Sequence, residues 1–524
     1  MRVAAGTFRR ERFQVQVLLR VAAGAFLLAA TTVVSAGAAD ARANTVPVFD
    51  RQPIGIGYSS GFGTGAGDLD QDGFSDLLVC GYDATRFYPG NGDGTFDRLG
   101  GSEIRGECGG GLRVANMDGD EYPDVVVGEP YGTPAVRILE YDPSGGLAIR
   151  EELLVEHSLS GVRVADIDGD GAEDVIAFTR RLDGPDTPRL RVLRNDGLGN
   201  LTEETAIDFR GNGPLSVGEV TGDSADDLVL ALRGGRIQII PGSASYDFTR
   251  LPRHRLGARG GLSVTTGDLA GDARDEIVVA TGNWVLTLRH SQDGVLHELD
   301  RRPAGGTVFG SDGVYTADVD GDARLDVVAL YPFGTYFFSG KPGGRLSTAM
   351  VQASGHLSPQ GELSALNGLS FADFNEDSRL DVAGVENRLR LLLQLRGRVF
   401  CKGEPVNAMG SDLVDRFIFG DHPRVVASAG KRNDVFYGTR FDDIACGGPG
   451  AEYLEGGRGA DRLYGGPGAD GTKRRSGAFD GGRGDDRLMG GAGDDELNGG
   501  PGQDVCDGGP GTDSYSGCEQ IIER

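Results

Sequence analysis

One pattern of apolar and polar positions recurs seven times between residues 47 and 400. A short apolar approach leads to acidic residues at alternate positions and then to a β-branched run, as in GDLDQDGFSDLLV, ANMDGDEYPDVVV and ADVDGDARLDVVA. The acidic loops open at Asp68, Asn116, Asp166, Glu219, Asp268, Asp318 and Asp373, 48 to 55 residues apart. Near-equal steps of this length mark a repeat architecture. Within one unit, Gly111 to Ser160, GLRVAN leads into the loop, DVVVGEP leads out, and AVRILEYD and LAIREELL follow across a PSGG turn. Four short strands joined by turns predict one blade of a β-propeller. The seventh unit stops after LRLLLQL without a last strand, whereas the strand-like segment Pro47 to Gly57 belongs to no other unit. That segment is expected to complete the last blade and close the ring, leaving few exposed sheet edges.

The loops carry the chemistry. In the first, Asp68, Asp70, Asp72 and Asp76 converge, and the Phe74 carbonyl adds a fifth oxygen. Carboxylates this close repel one another unless a cation lies between them. A set of this many hard oxygens selects Ca2+ over hydrated Mg2+. Four further loops repeat the set: Asn116, Asp118, Asp120, Tyr122 and Asp124; Asp166, Asp168, Asp170, Ala172 and Asp174; Asp318, Asp320, Asp322, Arg324 and Asp326; Asp373, Asn375, Asp377, Arg379 and Asp381. Thr221 and Ala270 interrupt the fourth and fifth loops, which are expected to bind weakly or to serve only as turns. An EF-hand needs a bidentate Glu at its twelfth position and helices on both sides; here that position is Val79, between strands. A single loop of this composition is an ordinary Asp/Gly turn, but five near-complete sets at one spacing are not.

These units resemble FG-GAP/VCBS repeats, the type that builds the seven-bladed propeller of integrin α-subunits and of many secreted bacterial proteins. GFGTGAGDLDQDGFSDLLV matches the FG-GAP core, and GNGDGTF, Gly90 to Phe96, resembles the turn of bacterial versions. The resemblance covers about residues 47–400. It implies calcium loops on one rim and ligand binding, where present, by loops of the other face. It names no ligand, because fold does not fix function.

After Cys401 the period becomes nine. With turns written GGxGxDxLx, the sixth position falls on Asp434, Asp443, Glu452, Asp461 and Asp470. After a 16-residue step across KRRSGAFD, it falls on Asp486, Asp495, Asp504 and Asp513. The apolar eighth position reads Leu454, Leu463, Leu488, Leu497, Cys506 and Tyr515. This resembles the RTX, or haemolysin-type, calcium repeat, and the resemblance implies a parallel β-roll. Gly then permits the tight turns, main-chain carbonyls and the Asp side chains bind Ca2+ between turns, and the eighth residue points inward. The metal positions so implied are Asp443, Asp461, Asp470, Asp486, Asp495, Asp504 and Asp513. Glu452 in place of Asp, and Thr472 at an inward position beside the long step, weaken the sites around them. Residues 402–428 are expected to form a cap or junction, and SYSGCEQIIE the other cap. Without calcium the roll should be disordered, having little apolar content and dense negative charge. The competing reading, a flexible Gly/Asp-rich tail, does not account for the strict spacing.

The expected fold is therefore all-β: a seven-bladed β-propeller over residues 44–400 and a C-terminal parallel β-roll over 401–524. Composition agrees. A chain of 524 residues exceeds the roughly 250–300 of one core, and its 88 Gly show no G-X-Y period. With 52 Lys+Arg against 78 Asp+Glu, the net charge is -26, which argues against a nucleic-acid partner and for metal cations. At the N-terminus Arg2, Arg9, Arg10, Arg12 and Arg20 precede an apolar stretch, Val21 to Val34, and small residues with cleavage sites after Ala38 or Ala43. This is the layout of a secretory signal peptide over residues 1–43. The stretch falls short of the ~20 apolar residues that a spanning helix needs, and no later segment reaches that length. Export permits disulfides, and the even cysteine count with sequence neighbours suggests 80–108, 401–446 and 506–518.

No catalytic constellation emerges. GYSSG, Gly57 to Gly61, matches a nucleophile elbow but lies at a blade start without a helix signal. His297-Glu298 lacks the second His of a zinc motif, and the six His are scattered. Arg483-Gly484-Asp485 spells RGD inside a nonapeptide turn where Gly and Asp already have roles. The expected function is a secreted calcium-binding protein whose propeller binds an extracellular protein or glycan, as an adhesion or scaffold module, with no membrane span. The alternative is a propeller-based extracellular polysaccharide lyase or hydrolase. A calcium-rigidified matrix spacer is the third possibility.

Overall fold

The apolar runs that follow the acidic loops form the second strand of each blade in a computed structural model of the chain. Asp76–Gly81, Asp124–Glu129, Asp174–Arg180, Asp227–Leu232, Glu276–Ala280, Asp326–Tyr331 and Asp381–Val385 are these strands. The structure describes residues 48–522 apart from 54–60, 82, 98–100, 107, 110, 121, 131–132, 144–145, 181–187, 209–212, 233, 258–261, 292–293, 305–312, 332–333, 354–366, 386–388, 396–399, 411–415, 419–423 and 472–478. The signal-peptide segment and most of GYSSG lie outside the described residues. All described residues fall in one unit, Asp40–Arg524, and none is helical.

The second strands read as continuous apolar runs because both faces are covered by neighbouring blades, as expected for strands without a wet side. Val125, Val126, Val175, Ile176, Leu228, Val229, Val327 and Val328 are all fully buried. Burying each such side chain stabilises the fold by about 1.5–3 kcal/mol. The apolar clusters accordingly lie between blades. Leu78 and Phe87 of blade one meet Leu112 and Val125 of blade two, and the same kind of contact continues around the ring. Outer strands face water on one side; within Leu201–Asp208, half-buried Thr205 and Ile207 alternate with exposed Glu204, Ala206 and Asp208.

Ring closure uses the first strand. Val48–Pro53 pairs antiparallel with Leu389–Leu395, from Val48↔Leu395 to Pro53↔Arg390, and is the outer strand of the seventh sheet. Blade seven then meets blade one through Leu77, Val79, Phe374 and Ala383. The Thr64 hydroxyl donates to the Gly368 carbonyl at 2.6 Å and accepts from Ser370 at 2.9 Å.

The second part winds as a two-sheet parallel solenoid. One sheet contains Val426–Ser428, Ile444–Cys446, Arg462–Pro467, Arg487–Ala492, Val505–Asp507 and Gln520–Ile522. The other contains Arg416–Ile418, Val435–Tyr437, Tyr453–Glu455, Phe479–Asp480, Glu496–Asn498 and Ser514–Ser516. Phe417, Phe436, Leu454, Leu463, Phe479, Leu488, Leu497 and Cys506 point inward, each at most 1 % exposed. Phe479, paired with Leu497, takes the inward place expected for Thr472. Thr472 itself lies outside the described residues. Coils also begin earlier than the strict nine-residue pattern, since Phe417 and Ala427 already face the core.

The two parts share one sheet. Blade six's outer strand, Met350–Ala353, pairs in parallel with Ala408–Met409 through Val351↔Ala408 and Gln352↔Met409, and the first solenoid sheet continues from there. The result is an 11-stranded sheet running from blade six to Gln520–Ile522. One apolar cluster likewise runs from Val314 and Tyr336 to Leu488 and Cys506. Disulfides join Cys80 to Cys108, Cys401 to Cys446 and Cys506 to Cys518.

Candidate metal centres

Each acidic loop hangs between the first and second strands of its blade, closed by a small residue facing an acid: Gly67↔Asp76, Ala115↔Asp124, Ala165↔Asp174 and Ala317↔Asp326. Numbering the loop from its first acid, positions four and six both take left-handed backbone. Gln71 and Gly73, Gly169 and Gly171, Gly321 and Ala323, and Glu376 and Ser378 do so. These two reversals wrap the chain around the first side chain, whose oxygens accept amide hydrogens from within the loop. Asp318 accepts from Asp322 and Ala323 at 3.0 and 2.8 Å. Position five in turn fixes position seven: the amides of Phe74, Tyr122, Ala172 and Arg324 donate to Asp72, Asp120, Asp170 and Asp322 at 2.7–3.0 Å.

The closing acid is structural as well as a potential ligand. Asp76 accepts from the Leu69 and Gly90 amides at 2.7 and 2.9 Å, and Asp326 accepts from Val319 and Gly340 at 2.9 and 2.8 Å. Asp227 makes the same bonds in loop four, to Val220 and Gly242. This position therefore ties the loop to its blade even where the ligand set is incomplete.

Three loops bring carboxylates together. Asp68, Asp70 and Asp76, then Asp166, Asp168 and Asp170, then Asp318, Asp320 and Asp326 each present oxygens within 4.8 Å of one another. Loops two and seven, with Asn116 and Asn375 in the set, form no such trio among the described residues. Asp68 Oδ1, Asp174 Oδ2, Asp320 Oδ1 and Asp377 Oδ1 are buried without a protein donor. An unpartnered buried carboxylate oxygen is costly, and an all-oxygen set of this kind fits a hard cation. Burial pushes Asp76, Asp174 and Asp326 up to about 7, and neighbouring carboxylates add to the shift.

Arginines supply what the sequence pattern could not reveal. In loop two Arg150 engages Asp118 and donates to the Leu198 carbonyl. In loop three Arg194 lies 3.1 Å from Asp170, and the Tyr246 hydroxyl donates to Asp168 at 2.6 Å. Loop five, interrupted by Ala270, holds Arg289, which pairs with Asp272 and with the fully buried Glu276. Arg274 reaches from loop five into loop four and donates to the Val220, Thr221 and His290 carbonyls at 3.0, 2.9 and 2.8 Å. The two loops with incomplete sets thus each contain a guanidinium.

In five solenoid repeats one carboxylate oxygen is used and the other is not. The amides of Asp443, Glu452, Asp461, Asp470 and Asp486 donate at 2.7–2.8 Å to Oδ1 of Asp461, Asp470, Asp486, Asp495 and Asp504, one coil further on. Oδ2 of Asp461, Asp470, Asp486, Asp495 and Asp504 is buried with no donor. These oxygens crowd the first Gly of their own turns. A Cβ at Gly465 would lie 2.0 Å from Asp470 Oδ2, and one at Gly490 2.3 Å from Asp495 Oδ2. Burial, with Asp443 and Asp486 nearby, pushes Asp461 up to about 8. Asp443 differs, because its oxygens accept from Val425 and Thr439 at 2.7 and 2.6 Å. Asp513 accepts from the Asp495 amide at 3.0 Å.

Residues 68–127 and 116–177 match the profile of the FG-GAP-like repeat. Residues 447–471 and 480–515 match that of the RTX calcium-binding nonapeptide repeat. The chain thus carries FG-GAP-like repeats in its first blades and RTX calcium-binding nonapeptide repeats in its solenoid. No curated protein matches it. Among solved structures, BBS1N in complex with ARL6DN is 14% identical over 67% of this chain and 98% of that one, with a TM-score of 0.45. A lectin of Agrocybe aegerita described as recognising non-reducing terminal N-acetylglucosamine is 17% identical over 57% and 81%, with a TM-score of 0.40. The Photorhabdus luminescens Tc holotoxin pore is 15% identical over 62% and 15%, with a TM-score of 0.32. Likeness at this level carries no function across. Among the described residues no helix is long and apolar enough to cross a membrane.

Proposed function

We propose that the protein is an exported binding module stiffened by calcium, with its propeller engaging an extracellular protein or glycan as an adhesion or scaffold element. The residues assigned to Ca2+ are the loop sets opening at Asp68, Asn116, Asp166, Asp318 and Asp373, together with Asp461, Asp470, Asp486, Asp495, Asp504 and Asp513. Asp443 is a weaker member. The observation that supports this reading best is the row of five buried Oδ2 atoms without donors, each beside a Gly that leaves it room. Ca2+ would supply neutralisation there, and the chain's own part is to hold the oxygens in place through the Oδ1 bonds. Three disulfides fit an oxidising destination.

The test incubates the mature chain in millimolar Ca2+ with a panel of polysaccharides and extracellular-matrix proteins, measuring both retention and new reducing ends. Calcium-dependent retention without cleavage is the expected result. Release of reducing ends would overturn the reading in favour of a lyase or hydrolase built from propeller loops.

A further inference from the structure

Turn residues Arg440, Arg458 and Arg483 occupy the same place in three consecutive coils. The Arg458 amide donates to the Thr439 carbonyl, the Arg483 amide donates to the Gly457 carbonyl, and Arg458 bridges Arg483 in parallel. On the adjoining strands Arg462 stands directly beside Arg487. Adjacent strands lie about 4.8 Å apart, so one flank of the solenoid carries two short files of guanidinium groups at coil spacing. Arg440, Arg458, Arg483 and Arg487 are exposed.

Arg440 lies over the Phe441 ring; the lack of ionic partners at Arg458, Arg483 and Arg487 among the described residues is the informative point. Acidic residues outnumber basic ones by 78 to 52, and propeller arginines such as Arg137, Arg150, Arg191 and Arg289 are all paired with carboxylates. Among the described residues Arg458, Arg483 and Arg487 form no ion pair, whereas Arg462 reaches Glu404 at 3.5 Å. The other sheet presents Glu455, Asp480 and Glu496 beside its inward residues, whereas the acids in the arginine turns, Asp442 and Asp485, accept the amides of Ala460 and Gln503.

We propose that this flank binds a linear anionic polysaccharide, in which carboxylate or sulfate groups along one edge of the chain meet successive guanidinium groups. Arg is suited to planar, bidentate recognition of such oxyanions. A nucleic-acid duplex, with one charge per about 1.7 Å of its axis, would meet more repulsion from the acidic surface beyond the strip than a polymer with anions along one edge. Asp461 and Asp486 lie in the turns beneath these arginines, and their carboxylates oppose an approaching anion until Ca2+ neutralises them. Binding is therefore calcium-dependent. The inference goes beyond the propeller-based reading and rests only on calcium uptake by the coils.

The test measures binding of the full chain, in millimolar Ca2+ and in chelator, to immobilised dextran sulfate, polygalacturonate and neutral dextran. Binding to at least one of the two anionic polymers, but not to neutral dextran, is expected in Ca2+ only, and the preferred polymer identifies the anion. The triple variant Arg458→Ser, Arg483→Ser, Arg487→Ser should bind about tenfold more weakly with unchanged calcium stoichiometry. If that variant loads calcium poorly, Arg483→Ser alone replaces it, with a loss of about twofold. Wild-type failure to bind either anionic polymer, or a calcium-loaded variant that binds like wild type, overturns the proposal. A change confined to the variants does not bear on the propeller's partner, because they leave the propeller unaltered.

Discussion

The Arg289 guanidinium forks onto the Asp272 carboxylate, with its two terminal nitrogens 2.9 and 2.8 Å from the oxygens, and also engages Glu276. This occurs in the loop where Ala270 replaces an acid, so the chain provides a cation of its own at that place. Replacing Arg289 with Ala would leave the fully buried Glu276 unpaired. The expected cost is about 2 kcal/mol, read as faster hydrogen exchange in Glu276–Ala280. The loss should be equal in calcium and in chelator. A loss seen only in chelator would contradict the internal-cation reading.

Loop six is the converse case. Changing Asp318, Asp320 and Asp322 together to Asn removes a converging set, so calcium stoichiometry should fall and blade six should loosen in calcium. In chelator the variant should be no less stable than wild type, because mutual repulsion of the carboxylates is gone. Isothermal calcium titration and thermal unfolding check this, and an unchanged melting temperature in calcium would count against the assignment.

Chelation should act unevenly along the chain. Amides of residues 444–522 are expected to lose exchange protection first, since their core is one side chain deep and their buried oxygens lose compensation. Amides of blades four and five, braced by Arg274 and Arg289, should keep theirs. Uniform loss across all blades would argue against this division.

Acidity should partly substitute for calcium in the propeller. The carboxyls of Asp76, Asp174 and Asp326 are raised to about 7, above the unfolded value of about 3.9. A group raised on folding favours the native state fully below its unfolded value, and that contribution is lost as pH rises through its folded value. Calcium-free protein should therefore lose melting temperature between about pH 4 and pH 7. Calcium should restore most stability at the alkaline end. Scanning calorimetry with and without chelator reads both trends.

What could be foreseen from residues alone was whatever repeats locally. The loops and coils each fit within a few residues, so alternate acids and a nine-residue beat expose them directly. Val48–Pro53 was foreseeable because blade seven lacked a strand and this segment had no other home. Phe479 was masked by the long step that breaks the beat, although FDGG before the next turn parallels YLEGG and is the signal that was available. Arg150, Arg274 and Arg289 reach their loops from strands or from a neighbouring blade, and only register places them there. The pairing of Val351 with Ala408 was likewise hidden, because two-residue strands carry no periodicity and the partners are distant in sequence.

The shared sheet has a consequence for how such a molecule can grow. Because Met350–Ala353 pairs with the first solenoid strand, the propeller fixes where the coils start and in what direction they advance. Each further 18 residues inserted before Gln520–Ile522 would add one coil and lengthen the solenoid by about 4.8 Å without disturbing a single blade. The protein's reach is thus set by counting coils, in fixed increments from a fixed base.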